Sequence, residues 1–457
     1  MKVIVCGAGQ VGFGIARHLA GEGNDVTVVD REASLMQRIT DTLDVRPILG
    51  HGGHPEVLEQ AGAADADVLI AVTASDEVNM IACQTARTLF KKPKTIARVR
   101  DRNYVKSKWR GLFNEDGIPI DVIISPEVEV ANAVMRRSAL PGAFDSCSFA
   151  GGSAEMIGVA IGEDCPVIDT PLNQLTGLFP DLQAIVVGLR RNNKVYVPDF
   201  DDTIQVGDEA FLVTASSDTE RTLKIFGHEE REARRIVMVG GGNIGYQVAK
   251  ELDTQAGRYS LSLIEANPER ARTVAEKLNR SIVLQGSGLS PELLAEAGIR
   301  QADLVLALTN DDQVNILTNM LALQEGCQRG LCLINDNSFQ NLAGDFGMEV
   351  SINPRAITVS SVLRHVRLGN VLQVHALSDE SAEMIEAEIQ EGAPIAGSKL
   401  RDLDLGNAMR VGTVYRKGKL TMPRGGTELK PGDRVVMFVT AEGIEQFESL
   451  LTSKEKK

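Results

Sequence analysis

At 457 residues the chain is too long for one ordinary domain and is expected to divide into two to four. Hydrophobic residues at 43% and charged residues at 24% are the composition of a globular protein, and no apolar run approaches the roughly eighteen residues that span a bilayer. A net charge of −14, with no basic run except the tail Lys454-Glu455-Lys456-Lys457, argues against a nucleic-acid partner and against direct adhesion to anionic lipid.

Met1-Lys2 leads directly into a strand and a glycine-rich turn, so no secretory leader is expected and the chain is read as cytosolic. Lys2–Cys6 is predicted as a strand, Gln10–Gly21 as a helix and Asp25–Val29 as a second strand. Val45–Leu49, Val68–Val72, Thr95–Val99 and Val122–Ile124 follow as strands with helical patterns between them. Continuous Val/Ile-rich strands alternating with helices indicate a parallel sheet covered on both faces. Pro126 then opens a helix predicted to end near Leu140. From Pro141 to Gly227 the pattern changes to short alternating strands, among them Ala184–Arg190 and Lys194–Val197, with turns at Arg191-Asn192-Asn193 and Gly207-Asp208. The charged stretch His228–Arg235 is either a linker or a solvated continuation of a helix.

After it the whole pattern returns. Gly7-Ala8-Gly9-Gln10-Val11-Gly12 is matched by Gly240-Gly241-Gly242-Asn243-Ile244-Gly245, and Ala66–Thr73 by Ala302–Thr309. Ile124-Ser125-Pro126 returns as Ile352-Asn353-Pro354, Ser153-Ala154-Glu155-Met156-Ile157 letter for letter at Ser381–Ile385, and Val206-Gly207-Asp208 as Pro431-Gly432-Asp433. The fold class is therefore α/β, with two Rossmann-type doubly wound parallel-sheet domains, each followed by a small α+β domain. The expected boundaries are residues 1–140, 141–227, 235–367 and 368–457.

Each G-x-G-x-x-G follows a strand, opens a helix, and precedes an acidic residue that closes the next strand. Asp30 lies 23 residues past Gly7, and Glu265 lies 25 past Gly240. In such a turn the first glycine (Gly7, Gly240) makes the bend, the second (Gly9, Gly242) admits phosphate, and the third (Gly12, Gly245) lets helix pack on strand. Free N–H groups and the helix dipole then hold the anion. Asp30 and Glu265 would accept from a ribose 2′-OH, which favours NAD(H) or an adenine nucleotide over a 2′-phosphorylated dinucleotide. The copies differ where the fifth strand ends: Arg98 and Arg100 face Leu333 and Asn335. An arginine there would neutralise phosphate, so ATP or ADP is expected at the first site and a dinucleotide at the second. The alternative is that Arg98 and Arg100 form surface ion pairs with Asp101.

A catalytic site is not expected. Tyr104 and Lys108 form the Y-x-x-x-K spacing of short-chain dehydrogenases, but the serine that completes that set is missing and the second half has no counterpart. The six histidines form no paired arrangement; His51 and His54 are read as loop turn chemistry, without the companions a metal needs. The scattered cysteines contain no C-x-x-C and are read as reduced core residues.

Ala71-Val72-Thr73-Ala74-Ser75-Asp76-Glu77-Val78-Asn79, echoed by Ala307–Asn315, together with the doubled order of large and small modules, resembles the RCK/KTN family in the form of Trk-type peripheral potassium-uptake subunits. The resemblance covers nearly the whole chain and adds Thr73, Ala74 and Thr309 to the candidate nucleotide contacts. It implies a regulatory subunit rather than an enzyme, a transmembrane potassium-translocating partner, and a homo-oligomeric ring, a tetramer built from dimers. It also implies peripheral attachment at the inner face of the membrane, with the helix after Pro126 crossing between lobes through Val128, Val130, Ala131 and Val134.

Overall fold

A computed structural model describes residues 1–105, 107–114, 117–255, 257–336, 338–339, 350–367, 370–377 and 381–452; the basic tail from Lys454 and the expected module start at Leu368 lie outside them. The chain divides into two compact units, Met1–Pro126 with Arg355–Leu368 and Glu127–Pro354 with Gly369–Lys457.

The first unit holds six parallel strands: β1 (Lys2–Cys6), β2 (Asp25–Asp30), β3 (Arg46–Leu49), β4 (Val68–Ala71), β5 (Lys94–Arg98) and β6 (Val122–Ile124). Their order is β3-β2-β1-β4-β5-β6, with the reversal between β1 and β4. β4 is buried along its whole length, as a strand covered on both faces must be. One of the covering helices comes from the far end of the sequence. Pro354–Val366 brings Val359, Val362, Leu363 and Val366 into the core with Val3, Val5, Ile15 and Leu19. Its carboxyl end is fastened where Arg367 pairs with Glu22 at 2.5 Å and Lys94 Nζ donates to the His365 carbonyl at 2.8 Å. This helix follows a strand of the second parallel sheet and belongs to the first unit. The Pro126–Ala139 helix, with Val130 and Val134 fully buried, belongs from Glu127 onward to the other unit.

The second unit repeats the parallel sheet with β12 (Arg235–Val239), β13 (Ser260–Glu265), β14 (Ile282–Gln285), β15 (Leu304–Ala307), β16 (Arg329–Leu333) and β17 (Val350–Ile352), in the order β14-β13-β12-β15-β16-β17. It also holds two five-stranded antiparallel sheets. One is formed by β7 (Ala143–Phe149), β8 (Ala154–Ala160), β9 (Ala184–Arg191), β10 (Lys194–Tyr196) and β11 (Glu209–Ala215). The other consists of β18 (Asn370–Ala376), β19 (Ala382–Glu388), β20 (Met409–Arg416), β21 (Lys419–Thr421) and β22 (Arg434–Thr440). His228–Arg235 does not continue a helix. Gly227 at φ +92° ends Thr219–Ile225, with His228 N–H closing onto the Leu223 carbonyl.

The repeated motifs now acquire reasons. Asp208 and Asp433, each 1% exposed, hold Arg191 and Arg416 through paired bonds of 2.6–2.8 Å, and each caps its own turn at Gln205 or Lys430. The Ser-Ala-Glu-Met-Ile repeat places Ala154, Met156, Ala382 and Met384 in one cluster between the two small sheets. At its centre Phe211 and Phe438, on equivalent strands, stack at 5.8 Å. Glycine is required opposite: a Cβ on Gly188 would lie 2.5 Å from the Phe438 ring, and one on Gly412 2.5 Å from Val213.

The same sheets are joined by a charge pair. His375 Nε2, on β18, lies 3.0 Å from Asp145 Oδ2, on β7, and Arg137 also pairs with Asp145. Burial alone would lower the imidazole pKa, but Asp145, with Cys147, outweighs it and raises it to about 10. The Asp145 carboxyl is held below its usual range against burial, by His375 and Arg137. Stability from the imidazolium is complete below its unfolded pKa of about 6.5 and is lost as pH climbs toward about 10. Stability from the carboxylate is present above about pH 4 and is lost in acid. Melting temperature should therefore fall from pH 6.5 to 10, and His375→Gln should flatten that slope while costing roughly 2 kcal/mol at pH 6, with Arg137 still facing Asp145. An unchanged slope in the variant would assign the titration to another group.

Candidate functional site

In a doubly wound sheet ligands lie beyond the carboxyl ends of the strands, where the order reverses. In the first lobe the expected residues meet there. Gly7 ends β1 at φ +111°, a conformation that only glycine adopts without strain. A Cβ on Gly12 would stand 1.7 Å from the Gly7 carbonyl oxygen, so the helix Gln10–Gly21 approaches the turn as closely as backbone allows. Around Gly9 the space is open, and Gly9 and Gln10 are exposed while Gly7 and Ala8 are buried. The second lobe repeats this with Gly240 at φ +103°, a Gly245 Cβ that would lie 1.9 Å from the Gly240 oxygen, and open space at Gly242. Asn243 is exposed and Ile244 half-buried at the start of the helix Asn243–Thr254.

The acids at the ends of β2 and β13 have a task that spacing did not reveal. Asp30 Oδ2 accepts from Ala8 N at 2.7 Å and Oδ1 from Glu32 N at 2.9 Å. Glu265 accepts from Gly241 N at 2.5 Å and from Asn267 N at 2.8 Å. Each carboxylate thus clamps its glycine turn to the next helix start and keeps further acceptor capacity.

The segment after β4 is also held from below. Asn79, fully buried, accepts from Thr73 N at 2.8 Å and Thr73 Oγ1 at 2.7 Å, and donates to the Arg98 carbonyl at 2.9 Å and the Thr73 carbonyl at 3.3 Å. Asp76 accepts from Arg100 N at 2.9 Å and Asp101 N at 2.7 Å. Asn315 and Asp312 do the same for Thr309, Leu333, Asn335 and Asp336. Asp76, Asn79, Asp312 and Asn315 are not among the residues expected at the site; their recurrence at fixed distance from Thr73 and Thr309 is the sequence signal that points to them.

Arg98 Nη2 donates to the Thr73 carbonyl at 2.9 Å, which puts its guanidinium at the β4–β5 edge beside the exposed Ala74. Arg100 pairs with Asp76 at 3.7 Å and donates to the Ala74 carbonyl, so the ion pair given as the alternative forms with Asp76 rather than with Asp101. A water-accessible cavity of about 420 Å³, lined by Lys2, Asp25, Asp65, Asp67 and Lys92, opens at the opposite, amino edge of the sheet.

The dehydrogenase pairing does not form. Tyr104 Oη donates to Glu77 at 3.2 Å, a bond that raises its pKa, while Lys108 lies over the Trp109 ring at 4.6 Å. His51 Nδ1 accepts from Gly53 N at 3.2 Å and its ring stacks on His54, which is loop turn chemistry. All six cysteines are free and buried, with Cys6 pushed up to about 12 by burial and by Asp30. No helix among the described residues is long and apolar enough to cross a membrane.

Residues 3–126 and 236–354 match the TrkA-N domain family, and residues 156–227 and 384–452 the TrkA-C domain family. The chain is 51% identical to the Trk system potassium uptake protein TrkA of Azorhizobium caulinodans, covering 98% of both chains. It is 39% identical to the TrkA of Halomonas elongata over 96% of each. Among solved structures, the GsuK RCK domain superposes with a TM-score of 0.60 at 17% identity, covering 98% of this chain and 94% of that one. The GsuK channel bound to NAD gives 0.58 at 16%, covering 98% and 78%. At such identities these two establish the fold alone.

Asn79→Asp keeps the shape and the acceptor but removes both donors under the β4 and β5 ends. It should destabilise the protein by roughly 3 kcal/mol, read as a lower denaturant midpoint. An unaltered midpoint would mean that the strand ends are held by other bonds.

Proposed function

The chain belongs to the TrkA family of Trk-system potassium uptake proteins, and from that premise we propose that it is a regulatory subunit whose two large lobes bind nucleotide and thereby gate a membrane-embedded potassium-translocating partner. The observation that carries this reading is the pair of glycine turns, each with open space at its second glycine and each clamped by an acid at the next strand end. NAD(H) is the ligand proposed for both, and the GsuK channel that shares this fold has been solved bound to NAD. ATP or ADP is proposed for the first lobe, where Arg98 and Arg100 stand at the edge along which a phosphate chain would run. The contacts would come from Gly7 to Gly12, Asp30, Thr73, Ala74 and Arg98, and in the second lobe from Gly240 to Gly245, Glu265 and Thr309.

The chains, each with its four modules 1–140, 141–227, 235–367 and 368–457, would assemble as a homo-oligomeric ring, a tetramer built from dimers, held at the inner face of the membrane through the partner. The relatives are named as potassium uptake proteins and not as enzymes, and no turnover of NADH is expected. Binding can shift the ring only by the difference in affinity between its two shapes.

Calorimetry on the full chain with ATP and NADH, combined with potassium flux through the partner, tests the proposal. Saturable binding without NADH consumption, and flux that changes with occupancy, are expected. Arg98→Ala should weaken ATP roughly 10- to 100-fold and NADH much less. Equal affinities in the variant would remove Arg98 from the phosphate site, and absence of all binding would remove the sensor mechanism.

A further inference from the structure

The two glycine turns share a backbone and differ in the side chain that stands over them. In the second lobe the helix Pro268–Ala275, capped by Asn267, carries Arg270. Its Nε donates to the Gly241 carbonyl at 2.6 Å and its Nη2 to the Gly242 carbonyl at 3.0 Å. Tyr246, the residue after Gly245, has the Arg270 guanidinium 5.6 Å from its ring centroid and the Lys277 ammonium at 5.5 Å. Two cations therefore converge beside this turn. Five places after Glu265 stands Arg270; five after Asp30 stands Leu35, which packs against the first lobe's core.

The two lobes place their positive charge differently. The first carries Arg98 and Arg100 at the fifth strand, where the second has Leu333 and Asn335, and its helix Ala33–Thr42 lays Arg38 over the Phe13 ring at 4.5 Å. In the second lobe an arginine of the helix that follows the acid is bonded to the carbonyls of the glycine turn itself. In a doubly wound sheet that acid takes the ribose, and the phosphates run from there across the glycine turn. A cation between the acid and the turn meets the phosphate nearest the ribose; one at the fifth strand meets phosphates farther along. Arg270 uses two of its five N–H donors on the turn itself, which fixes the fork in place and leaves three for a ligand.

We propose that Arg270 is the residue through which the second lobe binds the ribose-proximal phosphate of an adenosine nucleotide, making that lobe a reader of the adenosine 5′-phosphate shared by NAD(H), ADP and AMP. The first lobe, with Leu35 in that place, discriminates instead by the terminal phosphates. The inference rests on the nucleotide-binding reading of the glycine turns.

Hydrogen–deuterium exchange on the full chain follows the lobes separately, through peptides spanning Gly7–Gly12 and Gly240–Gly245, while adenosine, AMP and NADH are titrated. In the unaltered chain AMP should protect the second-lobe peptide at concentrations roughly 10- to 100-fold below adenosine. Arg270→Leu, and Arg270→Gln as a variant closer in shape, should reduce that ratio roughly tenfold, the turn N–H groups keeping the remainder, and leave the first-lobe peptide unchanged. A residue that only stiffened the turn would weaken AMP and adenosine by the same factor, and a preserved ratio overturns the proposal while leaving the nucleotide site standing. If none of the three ligands protects the second-lobe peptide even in the unaltered chain, the nucleotide reading of that lobe falls, and the role of Arg270 with it.

Discussion

A carboxylate bonded to two backbone N–H groups sets the geometry on which both large lobes depend. Asp30 and Glu265 each reach back from the end of a strand to the turn after the neighbouring strand, and forward to the start of the next helix. Such charge-assisted bonds are stronger than neutral ones, and they act where the backbone has least freedom. The turn they hold is already restricted, because the third glycine lies against the carbonyl of the first with no room for a methyl group. Clamped from both sides, the remaining N–H groups at the helix start are held in fixed positions, as an anion site requires. A ligand bound there would not need to order the loop, which is where binding commonly loses free energy.

The other half of the site is organised by a different device with the same logic. Asn79 and Asn315 lie fully buried beneath the ends of two strands and satisfy donors and acceptors on both. Asp76 and Asp312 cap the chain as it leaves the fifth strand. None of these four needs to touch a ligand for its loss to matter. They keep Thr73 and Thr309 at a fixed separation from the glycine turns: a Cβ on Gly7 would already lie 2.9 Å from Thr73 N, and one on Gly240 2.9 Å from Thr309 N. On this repeated scaffold the lobes carry different side chains, among them the cations at positions 98, 100 and 270.

The parallel sheets, their doubling and the glycine turns were legible because they rest on local signals: apolar strands, the spacing of three glycines, an acid at the end of the next strand. The partner of Arg100 was not, since it depends on which carboxylate the chain brings back to the fifth strand, and that is Asp76 from the preceding helix. Nor was Arg270, because Leu35 and Arg270 are both ordinary helix residues until the turn beneath them is seen. The Ser-Ala-Glu-Met-Ile repeat was visible as letters without a cause. Its cause is packing: Met156 and Met384 fill one cluster from two sides, so each copy constrains the other. Pairwise packing of this kind has no periodicity in either copy alone.

The helix Pro354–Val366 gives the duplication a mechanical consequence. It leaves β17 of the second parallel sheet and is buried among the strands and first helix of the first unit, with Val359, Val362, Leu363 and Val366 in that core. Interiors packed to native density do not deform gradually, so a shift at the carboxyl edge of the first sheet must be met by its covering helices or refused. One of those helices is covalently continuous with the second lobe. Arg367, 2% exposed along its side chain and bonded to Glu22, prevents the helix end from sliding independently. Two lobes on a flexible tether would each have to close their core with their own chain. Here the first parallel sheet is covered in part by a helix that leaves the last strand of the second, so the folding of one lobe draws on chain supplied through the other.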